Sequence, residues 1–326
     1  MFSMDALKLD AAAVAAEIEE AIRQQVLGTL HRRGAVVGLS GGVDSSVVTA
    51  LCSRALGPER VLALLMPERD SSADSLRLGR TLAASLGVPS LVEDITPVLA
   101  AAGCYERQAA AARMVFPQYG EGYRCKLTLP SALEGNRINV SELTIESPAG
   151  EREKARMPLH AYLQLIAATN FKQRTRKMIE YHHADRLNYA VAGTPNRLEY
   201  DQGFFVKQGD GAADFKPIAH LYKTQVYQLA EFMDLPAEIR SRPSSTETFS
   251  LPQTQEEFFF RLPYHLMDLC LYGRNHDVPA EEVAGAIGLT AEQVALVYRD
   301  IDQKRRTTRG LHLAPLLVHP VPGVAD

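Results

Sequence analysis

Hydrophobic and polar positions run along this chain in two rhythms. Ala35–Leu39 (AVVGL) and Val61–Met66 (VLALLM) are continuous apolar runs of the length that fills buried strands. Ser90–Ile95 (SLVEDI) gives a shorter third strand and Asn188–Gly193 (NYAVAG) a further buried one. Helical stretches separate them: the Ala-rich segment through Leu27, Asp44–Leu56, Ala73–Leu86 closed by Gly87, a helix ending at Ala112, and Leu159–His183. Strands alternating with helices predict an α/β fold, a doubly wound parallel sheet flanked by helices. The C-terminal third reads as mainly helical.

The rhythm breaks between Phe116 and Pro158. In RINVSELTIESPAGEREKARMPL the apolar positions fall at every second residue, Ile138 and Val140, then after a shift Leu143 and Ile145. A turn signal follows at Pro148–Ala149–Gly150. This predicts a β-hairpin, residues 116–158, inserted into a single domain of residues 1–326. Its removal from Asn136 to Arg156 is expected to leave the core standing, since loop-length changes cost little. VAGAIGLTAEQVALVYRDI (Val283–Ile301) has the look of a helix-turn-helix. Its second helix carries Glu292, Gln293 and Asp300 against Arg299 alone, so it offers phosphate little attraction. Two packed helices with Thr290 as N-cap are the expectation. His182 and His183, adjacent on a helix, do not face one metal together and are expected to face solvent.

Composition narrows the class. The chain has 326 residues, 46% hydrophobic and 23% charged, the make-up of a globular protein with a sizeable core. A net charge of −4 gives no hint of nucleic acid or a membrane surface. The apolar runs are too short to span a bilayer. Asp5, Lys8, Asp10, Glu17, Glu19 and Glu20 break any signal-peptide core. Cys52, Cys104, Cys125 and Cys270 form no CxxC pair, which predicts reduced, buried thiols in a cytoplasmic protein.

The chemistry concentrates after the first strand, in VVGLSGGVDSSVV (Val36–Val48). A strand-to-helix turn of Ser40, Gly41 and Gly42 lets backbone N–H groups approach an anion at a helix N-terminus. Ser40, Ser45 and Ser46 offer hydroxyls. The lysine of a GxxxxGK[ST] loop is missing, and Asp44 stands near its place. A carboxylate repels bare phosphate, so Asp44 should act through a cation such as Mg²⁺.

SGGVDSS resembles the SGGxDS loop of the ATP pyrophosphatases, which split ATP into AMP and pyrophosphate. AGTPNRLEYDQGFFVKQGDGAADFKPIAHLYKTQVYQLAEFM (Ala192–Met233) is similar to the NAD synthetase signature within that superfamily. NFKQRTRKMIEYHHA, RPSSTE, DQKRR and MPERDSSADS resemble further segments of that family in its own order. The resemblance implies that Gly38, Leu39, Ser40, Gly41, Gly42, Val43, Asp44, Ser45 and Ser46 bind ATP, with Thr194, Lys223 and Ser245. It implies Asp44 and Glu199 as Mg²⁺ ligands, and Asp44, Glu199 and Lys223 as the catalytic set. It assigns Arg174, Lys207, Asp214, Gln303 and Lys304 to deamido-NAD, with Arg305 beside them. Gln303 stands where the family usually has His.

The implied activity is ATP-dependent amidation of deamido-NAD by ammonia through an acyl-adenylate, in a homodimer. Two alternatives stand beside it: a related ligase acting on another carboxylic acid, and an ATP-binding module without turnover. Only 37 residues precede Gly38, and no cysteine carries a glutaminase pattern. Free ammonia is therefore the expected nitrogen source, either from solution or from a separate ammonia-supplying partner.

Overall fold

The computed structural model describes residues 2–129, 141–246 and 248–323. Helix α1 (Ala11–Arg23) opens at Asp10, whose carboxylate accepts the Ala13 N–H at 3.1 Å. Then come β1 (Ala35–Gly38), α2 (Val43–Leu56), β2 (Val61–Leu65), α3 (Ala73–Ser85) and β3 (Ser90–Val92). The third strand is shorter than its sequence suggests, because it sits at the sheet edge and the chain turns away before Ile95, which is buried. The helix read through to Ala112 is two: α4 (Thr96–Ala101) and α5 (Cys104–Arg113). They part at Gly103, whose φ of 69° no helix continues. Next come β4 (Arg124–Thr128), β5 (Glu142–Glu146), β6 (Arg152–Arg156), α6 (Leu159–Leu187) and β7 (Ala190–Ala192). The helices α7 (Arg197–Gln202), α8 (Lys223–Phe232), α9 (Ala237–Ser241), α10 (Tyr264–Asn275), α11 (Ala280–Ile287) and α12 (Ala291–His312) complete the chain.

The main sheet has the order β3-β2-β1-β7, all parallel. Alternate strand residues face opposite sides. Ala35, Val37 and Ala63 pack with Val47, Leu51 and Val226 of α2 and α8. Val36, Leu62 and Leu64 pack with Leu99 and Ala184 on the other side. Helices therefore cover both faces. The order reverses beside β1, with β2 on one flank and β7 on the other. That reversal leaves a crevice beyond the C-terminal ends of β1 and β7, where open α/β sheets bind ligands.

A second sheet, β4-β5-β6, is antiparallel. The hairpin read from the sequence is β5–β6, with its turn at Pro148–Ala149–Gly150. Ile138 and Val140 lie outside the described residues. β4 was not legible, since RCKLT offers only Cys125 and Leu127 as apolar positions. Those two residues pack with Leu143 and Ile145 of β5 onto Ala111, Phe116, Ala161 and Leu165. β5 is the central strand of this sheet and supplies part of a core, which argues against removing the hairpin harmlessly. Leu143→Ala should cost about 2–5 kcal/mol of stability, read as a lower urea midpoint. An unchanged midpoint would show that the sheet is not part of the cooperative fold.

A third core joins α10, α11 and α12 through Leu269, Val283, Val294, Val297 and Ile301. The helix pair is two packed helices, α11 ending at Gly288 and Thr290 capping α12 in a box with Gln293. Of the two histidines, His182 is exposed, but His183 is buried, contrary to the expectation for both. Its Nε2 lies 2.9 Å from Glu93 and its Nδ1 accepts from Arg186 at 2.8 Å, so its polar atoms are served inside. All four cysteines are buried free thiols. Among the described residues no helix is long and apolar enough to cross a membrane.

Candidate active site

β1 delivers the chain to Gly38 at the crevice. A Cβ on Gly38 would meet Glu180 Oε1 at 2.7 Å, so α6 packs directly on the backbone here. Gly41 has φ 75°, and a Cβ there would meet Ser75 O at 2.6 Å. Conformation and space both demand glycine. Gly42 then starts α2 with no side-chain cap, leaving the positive end of that helix toward the cleft. Ser40 Oγ lies 3.1 Å from Ser45 Oγ, and both line the cleft. Ser46 does not. Its hydroxyl donates to Gly42 O at 2.7 Å and holds the loop's shape.

The charges come from three helices. Asp44 lies in the first turn of α2, Glu199 in that of α7, and Lys223 opens α8. The Lys223 ammonium pairs with Asp44 and is only 2% exposed. The cation absent from the glycine loop therefore reaches Asp44 from elsewhere in the fold. Asn196 ties the two acids together: its Nδ2 donates to Asp44 Oδ1 at 2.9 Å, and its backbone N–H donates to Glu199 Oε2 at 3.1 Å. Gln255 donates to Glu199 Oε1 at 2.9 Å.

Burial, and then the charge of Asp44, push the Glu199 carboxyl up to about 8 against the pull of Lys223. Burial opposes the Lys223 ammonium, but Asp44 and Glu199 outweigh it and hold its pKa above the ordinary lysine value. Two carboxyls share one ammonium, so the cluster is short of positive charge when both ionise. Among the described residues, no group of three or more His, Cys, Asp or Glu side chains is placed to hold a metal. Two hard oxygen donors fit Mg²⁺, which keeps waters and takes its remaining ligands from phosphate.

Of the residues singled out from the sequence, Gly38, Leu39, Ser40, Gly42, Val43, Asp44, Ser45, Thr194, Glu199 and Ser245 line one cleft. Gly41 and Ser46 shape its loop, and Lys223 reaches Asp44. The others lie apart from this cleft. Arg174 is exposed on α6, with Nε donating to Lys207 O at 3.3 Å. Lys207 caps the end of α12 through Gly310 O at 2.8 Å and Leu313 O at 3.1 Å. These two adjoin on one side of the molecule. Asp214 accepts the Val191 N–H at 2.7 Å and the Tyr181 hydroxyl at 3.1 Å. Gln303 is exposed. Lys304 is committed to Asp300 at 2.8 Å and Phe259 O at 2.9 Å. Arg305 pairs with Asp201 through both Nε and Nη2.

Sequence reasoning missed one wall of the cleft. Gln173, Arg176, Lys177 and Glu180 of α6 line it, with Lys177 held by Glu180 at 2.6 Å. Their i, i+3, i+4, i+7 spacing within NFKQRTRKMIE marks one helix face and was the available signal. Asp210 and Arg242 also line the cleft, Arg242 donating to Ser75 Oγ at 2.8 Å.

The family model described as NAD synthase matches residues 14–118 and 129–308. A relative from Mesorhizobium japonicum, named NH(3)-dependent NAD(+) synthetase, is 61% identical over 311 residues, 95% of this chain and 98% of the relative. One of the same name from Thermotoga neapolitana is 38% identical over 252 residues, 77% of this chain and 81% of the relative. The solved NH3-dependent NAD synthetase from Campylobacter jejuni superposes with a TM-score of 0.61 at 22% identity, covering 95% of this chain and 100% of that one. At that identity the likeness speaks for the fold. The match of the family model along most of its length, with such identities to curated members, shows that the chain belongs to the NAD synthase family.

Proposed function

We propose that this chain is a C–N ligase that amidates the nicotinate carboxylate of deamido-NAD with ammonia, consuming ATP and releasing NAD, AMP and pyrophosphate. The observation that carries this reading is the convergence of the glycine loop, Asp44, Glu199 and Lys223 at the sheet's switch point. The two curated relatives described above carry the name of an ammonia-dependent NAD synthetase.

In the first step a carboxylate oxygen of deamido-NAD attacks the α-phosphorus of ATP, and the bond to the β-phosphate oxygen breaks. Mg²⁺ held by Asp44 and Glu199 would offset the charge that gathers on the departing pyrophosphate. Ser40 and Ser45 line the cleft, and Lys223 stands on Asp44 beside it. The Ser40 and Gly42 N–H groups, which meet the Ser45 and Ser40 hydroxyls at 3.3 Å, would turn with those hydroxyls to the departing charge when ATP is bound, and Lys223 would add its positive charge from Asp44. In the second step ammonia attacks the acyl carbon, AMP leaves with the bonding pair, and the extra proton goes to solvent. No side chain has to become a covalent nucleophile.

Residues 1–326 are read as one such domain, with 116–158 inserted in it, working as a cytoplasmic homodimer. The exposed Leu159, Leu163 and Met178 of α6 support the dimer, since they share one side of that helix with Arg174. A dinucleotide held near that side would meet Arg174 and Lys207. Lys207→Ala should raise KM for deamido-NAD about 5-fold, the loss of a contact of about 1 kcal/mol, and leave KM for MgATP unchanged. Equal effects on both would move Lys207 out of the substrate site.

The reading is tested by NAD formation from deamido-NAD and MgATP with either ammonium or glutamine as nitrogen source. Ammonium should support turnover, rising with pH above neutrality because NH₄⁺ has no lone pair. Robust turnover on glutamine, with no added partner, would contradict the ammonia assignment. ATP cleavage indifferent to deamido-NAD would contradict the substrate.

A further inference from the structure

Asp268 sits on α10 and is 0% exposed. Its neighbours Met267, Leu269, Cys270 and Leu271 are all buried among apolar side chains. A carboxylate in such surroundings is costly to keep, and burial pushes its pKa up to about 6 against two hydrogen bonds from the backbone. Those bonds go to one place. Oδ1 accepts the N–H of Lys223 at 3.2 Å, and Oδ2 accepts the N–H of Thr224 at 2.7 Å. Lys223 and Thr224 are the first two residues of α8, whose N–H groups have no acceptor inside their own helix.

The chain next to them does not serve these donors. Tyr222 and Gln225 bond to each other, Tyr222 N to Gln225 Oε1 at 3.0 Å and Gln225 N to Tyr222 O at 2.9 Å. The start of α8 is therefore gripped from outside by a distant helix. About two turns further along α10, Asn275 Nδ2 donates to the Tyr222 hydroxyl at 3.1 Å, a second hold on the same end.

We infer that Asp268 is a positioning residue for the reaction: by fixing the backbone at the head of α8 it sets where the Lys223 ammonium reaches Asp44 and the phosphates of ATP. The inference rests on the reading of Lys223 as a phosphate-facing cation. The lysine stem is long and has many rotamers. Its ammonium is placed by the walls around it and by the position of its Cα, and the Cα is what Asp268 holds. A small misplacement of a charge beside a reacting phosphate costs far more rate than binding. A plain helix cap would instead contribute stability alone.

The test is a double-mutant cycle on the full chain with Asp268→Asn, Lys223→Ala and the pair, assayed well below the lowest melting temperature. Asp268→Asn keeps the shape and one acceptor and turns an N–H₂ toward the other backbone donor. Its kcat should fall about 10- to 100-fold with KM for deamido-NAD unchanged. In the Lys223→Ala background the same change should do less than about 2-fold further, because the group it acts through is gone. Single-turnover NAD formation at high enzyme concentration gives the same cycle where steady-state turnover is too low. Should Asp268→Asn not fold, Asp268→Ser, which retains a single small acceptor, takes its place in the cycle.

A lowered melting temperature with unchanged kcat would reduce Asp268 to a cap and overturn the inference. Equal losses in both backgrounds would also overturn it, since Asp268 would then act through something other than Lys223. Wild-type turnover in Lys223→Ala would instead sink the reading of Lys223 on which the inference stands.

Discussion

Asp44→Ala is expected to lower kcat about 1000-fold, roughly 4 kcal/mol of transition-state stabilisation. Asp44 is held on two sides, by the Lys223 ammonium and by Asn196 Nδ2 at 2.9 Å. It lines the cleft beside the hydroxyls of Ser40 and Ser45 and the carboxyl of Glu199, across from the charged face of α6. Removing it takes away one of two carboxylates able to hold Mg²⁺ and leaves Lys223 to swing toward Glu199. Asp44→Asn should be almost as poor, because it keeps the shape and the Asn196 contact but loses the charge. Pyrophosphate release measured with saturating deamido-NAD decides the matter. Near-native release by the asparagine variant would show that a charge at this position is not needed, and the metal assignment would fall.

Lys172→Met should destabilise the fold by about 3–5 kcal/mol. Its ammonium is fully buried and meets Glu68 Oε1 at 2.8 Å, Asp70 Oδ2 at 2.8 Å and Thr248 O at 2.9 Å. Methionine fills the space but leaves the Glu68 carboxylate with the Tyr105 hydroxyl at 2.9 Å and no cation, and Asp70 with Arg69 alone at 3.1 Å, and this under-compensated buried charge dominates the cost. The same ammonium binds α6 to the loop after β2, which carries Met66, Pro67, Ser71 and Ser72 of the cleft, and to the segment after Ser245. Urea unfolding at neutral pH, with m compared between variant and parent, measures the loss. A change under about 1 kcal/mol would show that the buried cluster relaxes into water once the lysine is removed.

What was legible in the sequence follows from how local the signals are. The parallel sheet could be read because β1, β2 and β7 are apolar runs buried on both faces, and such runs need no partner to be recognised. Asp44 and the Ser40–Gly42 turn were legible for the same reason: a strand, a glycine turn and a helix start lie within a dozen residues. β4 was not, because two apolar positions in five residues make a strand only when β5 lies beside them. The break at Gly103 was missed because glycine ends a helix only where the chain adopts a positive φ, and packing decides that. His183 looked as exposed as His182 until Glu93 and Arg186, brought in by the fold, supplied partners for both its nitrogens. The wall made by Arg176, Lys177 and Glu180 stayed hidden although its spacing was helical. Charged residues on one face of a helix ordinarily signal solvent, and here that face turns into a cleft.

The central claim is that this cleft activates a carboxylate by joining it to the α-phosphorus of ATP. Deamido-NAD labelled with ¹⁸O in its nicotinate carboxylate tests it most directly, with the products of a full turnover analysed by mass spectrometry. One labelled oxygen is expected in the phosphate of AMP for each NAD formed, and none in pyrophosphate. Label appearing in pyrophosphate or inorganic phosphate, or NAD formed with no label in AMP, would contradict that claim.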